Sequence, residues 1–210
     1  MSRLAWKPWH EVVQLRSELK TGELSLSIFA ADLYDVVMGR ARPIYQDPYD
    51  FFSFTYPTFN LRELAKDVAL RLAGQNDKAV RQLELTYGGG KTHTLITLYH
   101  LAHQPGRLPD LPAVQEFRNS TGMSTPQARI AVLAFDKLDA ERGMEIVSPT
   151  GEKRWLRHPW SVLAYQLAGS DGLRLLHAEG QDTERERWMA WRRRAALSAI
   201  PWAGSTSRSS

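Results

Sequence analysis

Lys91 and Thr92, directly after Gly88, Gly89 and Gly90, are the residues of this chain best placed to do chemistry. A lysine ammonium can neutralise phosphate oxygens, and a threonine hydroxyl can join the oxygen shell of a Mg²⁺ ion. Glycines let the backbone turn tightly and aim successive N–H groups at an anion. A helix that follows adds the positive end of its dipole. The flanks fit this chemistry. Leu83 and Leu85 predict a short strand before the glycines, and Leu95, Leu98, Tyr99 and Leu101 predict a helix after them. Strand, glycine loop, helix is the order of a phosphate-binding loop. Its usual pattern is G-x-x-x-x-G-K-[ST]. Gly90, Lys91 and Thr92 match the end of that pattern, whereas Leu85 stands where its first glycine belongs. The alternative is a plain glycine turn ahead of an ordinary helix.

Three further groups of residues invite chemistry. Residues 128–135, ARIAVLAF, read as a buried strand that ends at Asp136. An acid there can position the water shell of Mg²⁺ in a nucleotide hydrolase; it can equally be an ordinary strand-end or capping acid. His93, His100 and His103 suggest a metal set, but no carboxylate falls at ligand spacing nearby, so no metal site is expected from them. Tyr49, Phe51, Phe52 and Phe54 could form a base-stacking platform. No interleaved arginines or lysines accompany them, so a packed aromatic cluster is expected instead.

The elements that must hold the loop are mainly helical up to residue 78. Val12, Val13, Leu15 and Leu19 could line one helix face, with Trp6 and Trp9 packed nearby. Phe29, Leu33, Val36 and Val37 recur at helical spacing and Gly39 stops them. Asp47 before Pro48 reads as a helix start. Asn60 reads as the cap of a helix carrying Leu61, Leu64, Ala65, Val68 and Leu72, ended by Gly74. Beyond the loop, residues 114–118 predict a short helix. Residues 145–156 predict a turn or hairpin around Pro149, Thr150 and Gly151. Val162, Leu163, Tyr165 and Leu167 predict a last helix up to Gly169.

With 210 residues, 43% hydrophobic and 24% charged, the chain can build one core, or a core with a small accessory domain. It has no cysteine, hence no disulfide framework and no thiolate metal site. No apolar run approaches a membrane span and the N-terminus lacks a signal-peptide pattern, which together predict a cytoplasmic location. The net charge of +4 is concentrated near the end: Arg187, Arg192, Arg193, Arg194 and Arg208 face no acid after Glu186. That tail predicts weak, salt-dependent nucleic-acid contact and otherwise disorder.

The stretch LELTYGGGKTHTLITLYHL resembles the large predicted ATPases catalogued as the domain-of-unknown-function 499 family. KPWHEVV, FAADLYDVVMG, DPYDFFSFTYPT and HPWSVLAYQLAG are similar to that family too, and occur in its order. The family pattern also lacks the usual first glycine. The resemblance implies an AAA-like P-loop ATPase. Such proteins are often encoded beside DNA methyltransferases and helicases in phage-defence or mobile regions, which makes DNA-modification or defence proteins the implied partners. It makes Gly88, Gly89, Gly90, Lys91 and Thr92 the ATP site, with Thr92 on Mg²⁺. Family members are several times longer, and their acidic metal-binding strand lies beyond this chain's end, which implies a truncated chain and weakens the case for Asp136.

The expected fold is therefore α/β. A mainly helical region, 1–78, precedes a partial P-loop core with an incomplete parallel sheet, 79–180, and a basic tail, 181–210. The expected function is ATP binding. The alternatives are a small P-loop kinase, a non-catalytic interaction fragment with an inactive loop, and a nucleic-acid binder acting through the arginine-rich end.

Overall fold

The computed structural model describes residues 7–14, 31–84, 86, 88–139 and 141–176. The chain divides into two units, Met1–Ala31 and Asp32–Ser210. In the first, helix α1 (Trp9–Val12) buries none of its residues. Trp9, Val12 and Val13 are exposed rather than packed, because a single turn has no continuous apolar face to bury. Trp6, Leu15, Leu19 and Phe29 lie outside the described residues, as does the arginine-rich tail.

The second unit opens with α2 (Leu33–Val37), whose cap Asp32 accepts the Tyr34 N–H at 2.8 Å. Two short helices follow, α3 (Pro43–Gln46) and α4 (Pro48–Ser53). The Asp47 carboxylate accepts the N–H groups of Tyr49 and Asp50, with Pro48 in the first turn, as the Asp-Pro pair predicts. Helix α5 (Phe59–Leu72) is capped by Thr58, not Asn60. The Thr58 hydroxyl accepts from Leu61 N–H at 3.3 Å, and Asn60 already lies inside the first turn. Helices α6 (Lys91–His103) and α7 (Pro112–Thr121) complete a helical layer, with a 3-10 turn at Pro105–Arg107 between them. α5 packs against both α6 and α7. Its stripe of Leu61, Ala65 and Ala69 is buried, as are Ile96 and Leu101 of α6, and Val114 and Phe117 of α7.

The rest of the unit is a hairpin and a long helix. β1 (Met144–Val147) pairs antiparallel with β2 (Lys153–Leu156), Met144 opposite Leu156 and Val147 opposite Lys153. Helix α8 (Pro159–Leu176) packs on β1 and breaks at Gly169, where φ is 59° and ψ is −141°. Met144, Ile146, Leu156, Val162, Tyr165 and Leu173 form the core here, joined by Tyr34 of α2. The Tyr34 hydroxyl donates to the Glu145 carbonyl at 2.6 Å and ties α2 to the hairpin.

The fold is thus mixed α/β, mostly helical, and the only sheet among the described residues is this two-stranded antiparallel one. Residues 128–135, expected as a buried strand, pair with no strand among the described residues and are at most half-buried. A strand is completed by partners distant in sequence, which local composition cannot display. Instead the side-chain amide of Gln166 takes the place of a neighbouring strand. Val132 N–H donates to Gln166 Oε1 at 3.0 Å, and Gln166 Nε2 donates to the Val132 carbonyl at 2.7 Å. Ala128 N–H donates to the Ala102 carbonyl at 2.8 Å, fixing the start of the segment to the end of α6. Residues 81–84 likewise have no strand partner among the described residues. No helix among the described residues is long and apolar enough to cross a membrane.

Candidate functional site

The approach to the glycine loop is anchored at Arg81. Its guanidinium meets the Asp67 carboxylate of α5 at 3.1 Å and 3.2 Å. Leu85 and Tyr87 lie outside the described residues. The Thr86 carbonyl oxygen is the centre of the turn: it accepts from Gly89 N–H at 3.0 Å and from Lys91 Nζ at 3.0 Å. Lys91, the first residue of α6, therefore folds its side chain back across the loop.

Gly88 and Gly90 have φ of 77° and 80°, in the left-handed region. Gly90 is the residue before α6, and no side chain caps that helix. Its first intrahelical bond is Thr94 N–H to the Gly90 carbonyl at 2.9 Å, so the N–H groups ahead of Thr94 have no helical acceptor. Gly88, Gly89, Gly90 and Lys91 are exposed, and Thr92 is half-buried. A Cβ at Gly88 or Gly90 would meet nothing within 4 Å. The glycines thus serve backbone conformation and leave open space above the loop. The N–H groups of the first turn of α6, the N-terminus of that helix and the Lys91 ammonium all lie at this loop. Together they suit a multiply charged phosphate anion.

The first turn of α6 is held from below by residues that sequence reasoning did not single out for the site. His93 stacks on Phe51, with ring centroids 4.6 Å apart. Its Nε2 lies 3.1 Å from Thr55 Oγ1. Thr55 Oγ1 donates its one proton to the Phe51 carbonyl at 2.8 Å, so His93 Nε2 carries the proton of the His93–Thr55 bond. Burial lowers the pKa of His93 and holds it neutral. Two turns further on, His100 Nε2 donates to the Tyr45 carbonyl at 2.8 Å. Burial lowers the pKa of His100 as well. His103 stacks on Tyr99 at 4.8 Å. The histidines share aromatic neighbours: Phe51 meets both His93 and His100, and Tyr99 meets both His100 and His103. No local pattern in the sequence announces the His93 contacts.

The aromatic stretch splits in two. Phe51 and Phe52 are buried, as a packed cluster requires, and Phe52 meets Phe117 edge-on at 6.1 Å. Tyr49 and Phe54 are exposed. Asp136 sits in an exposed turn beside the exposed Phe135. Among the described residues no hydrogen bond or ion pair joins it to the glycine loop, and no group of three or more histidines and acids could hold a metal ion. Gly88 to Thr92 are brought together by the loop itself.

A family model described as the DUF499 N-terminal domain matches residues 8–168, a span that contains the loop, its helical support and most of the hairpin core. No curated protein and no solved structure matches the chain.

Proposed function

The chain belongs to the DUF499 family, and from that premise we propose that it binds a nucleoside triphosphate, ATP by family resemblance, through a P-loop formed by Gly88, Gly89, Gly90, Lys91 and Thr92. The observation that carries the proposal is the loop backbone: Gly90 in the left-handed region directly ahead of a helix that no side chain caps, with Lys91 folded over the turn. Lys91 Nζ would exchange the Thr86 carbonyl for phosphate oxygens. The N–H groups of the first turn of α6 would bind the remaining oxygens. Thr92 would offer its hydroxyl to Mg²⁺, which would neutralise charge on the β- and γ-phosphates. The finer fold assignment, a partial AAA-like parallel sheet, and the setting beside DNA-modification or phage-defence proteins belong to the same proposal and rest on the family resemblance. Binding is the activity proposed. Efficient hydrolysis also needs an oriented water and a carboxylate for the ion, and no hydrogen bond or ion pair among the described residues links Asp136 to the loop.

Calorimetric titration with Mg-ATP tests the site. Lys91→Ala should weaken binding at least tenfold, about 1.4 kcal/mol. Equal affinity in wild type and variant would overturn the proposal.

A further inference from the structure

Residues 76–84 lead from α5 towards the glycine loop. Among the described residues no backbone–backbone hydrogen bond holds this connection, so side chains do. Arg71 Nη1 donates to the Asn76 carbonyl at 2.9 Å, and Asn76 Oδ1 accepts Lys78 N–H at 2.8 Å. Arg81 Nη1 donates to the Lys78 carbonyl at 2.9 Å and to the Val80 carbonyl at 3.1 Å. Asp67, in the middle of α5, takes the connection at both ends. Its Oδ1 accepts from Asn76 Nδ2 at 3.5 Å. Its Oδ2 accepts from Arg81 Nε at 3.2 Å, and Arg81 Nη2 lies 3.1 Å from the same oxygen. The side chains of Arg81 and Asp67 are 22% and 39% exposed, which sets the pair between a solvated surface pair and a buried one.

We infer that Asp67 is a positioning residue of the phosphate loop: through Arg81 it fixes the backbone that enters the loop to α5, the helix against which α6, the loop's exit, also packs. The inference rests on the proposed phosphate site and names what holds that site ready. Arg81 stands five residues ahead of Thr86, whose carbonyl closes the turn on Gly89 N–H and Lys91 Nζ. Backbone that is ordered only when the anion binds lowers the affinity by its lost entropy, and a tether already made in the free chain removes that loss. Arginine suits the role, because its planar fork answers a carboxylate and two carbonyls at once. Asp67 and Arg81 touch no ligand; they fix where the loop begins.

The experiment titrates the full chain with Mg-ATP by calorimetry, and follows amide exchange without nucleotide. Asp67→Asn and Arg81→Gln should each weaken ATP binding about fivefold, the upper end of what a partly exposed ion pair contributes. The double variant should also lose about fivefold, because it removes the same interaction once; independent roles would give about twenty-fivefold. The Gly89 amide, which donates within the turn, should exchange about fivefold faster in Asp67→Asn, with the amides of α8 unchanged. Unchanged affinity in either single variant, additive losses in the double variant, or unchanged Gly89 exchange would overturn the positioning role and leave the phosphate loop standing. Faster exchange throughout α8 with a lowered urea midpoint would make the pair a support of the whole fold and overturn the role too. Wild type that binds no Mg-ATP would overturn the phosphate site, and the positioning role with it.

Discussion

At Gly88 and Gly90 a Cβ atom would meet nothing within 4 Å, whereas at Gly172 it would run into the backbone carbonyl of Ala164, and at Gly143 it would lie 2.5 Å from the Leu156 carbonyl oxygen. The loop and the hairpin–helix core thus use the same residue for opposite ends. In the core, glycine lets two pieces of backbone touch: α8 folds back on itself past Gly169, and the hairpin closes against residue 143. The gain there is packing. In the loop, Gly88 and Gly90 have open space around them, and the left-handed Gly90 leads into the first turn of α6. Gly39, Gly74, Gly122 and Gly151 have the same left-handed backbone in open space, so what sets the loop apart is the helix without a side-chain cap and the lysine that follow it.

The sharpest way to test that contrast is to add one methyl group on each side. Gly172→Ala should cost about 3 kcal/mol of stability, because the new Cβ overlaps backbone that cannot move as a side chain can. Urea unfolding would read this, and variant protein that remains folded should bind Mg-ATP as wild type does. Gly90→Ala should cost only about 1 kcal/mol, the penalty of a left-handed alanine in open space. Its ATP affinity should nevertheless fall at least tenfold, about 1.4 kcal/mol. A large stability loss with normal binding would erase the distinction.

A smaller effect concerns the support under the loop. His93 and His100 are neutral in the folded chain, with pKa values lowered chiefly by burial below the ordinary 6.5. Below about pH 6.5 the unfolded chain takes up protons that the folded chain refuses. Stability is therefore whole above that pH and declines as pH falls towards the lowered folded values. The limiting slope is about 1.4 kcal/mol per pH unit for each proton. Urea midpoints at pH 7.5 and 5.5 should differ in wild type and differ less in His93→Gln. No change of that difference in the variant would remove His93 from the account.

Much of this was legible from local pattern. Asp47-Pro48 announced a cap and a first turn, and the Ser-Pro-Thr-Gly run of 148–151 announced the hairpin. The three glycines followed by Lys-Thr announced both the loop and the start of α6. Each of these is decided within a few residues of chain. What stayed hidden depends on partners distant in sequence. Residues 128–135 have a strand's composition, but no strand among the described residues pairs with them. The cap of α5 moved from Asn60 to Thr58 because either residue type can serve there and only the helix start decides between them. The Thr55–His93 bond joins residues far apart in the chain, and neither has a pattern that would mark it. Phe51 and Tyr49 are alike by composition, yet one is buried and the other is not.

Gln166 answers both polar groups of the Val132 backbone, and it does so from the half of α8 that precedes the Gly169 break. The time for which the Val132 amide hydrogen stays out of exchange with solvent is then set by a helix and by one rotatable side chain. In a sheet, neighbouring amides along a strand open together, because one partner strand leaves all of them at once. Here Val132 should open in step with Ser161 to Gly169, while the residues on either side of it exchange on schedules of their own. A segment with a strand's composition thereby has one amide, that of Val132, whose exchange answers to the side chain of Gln166.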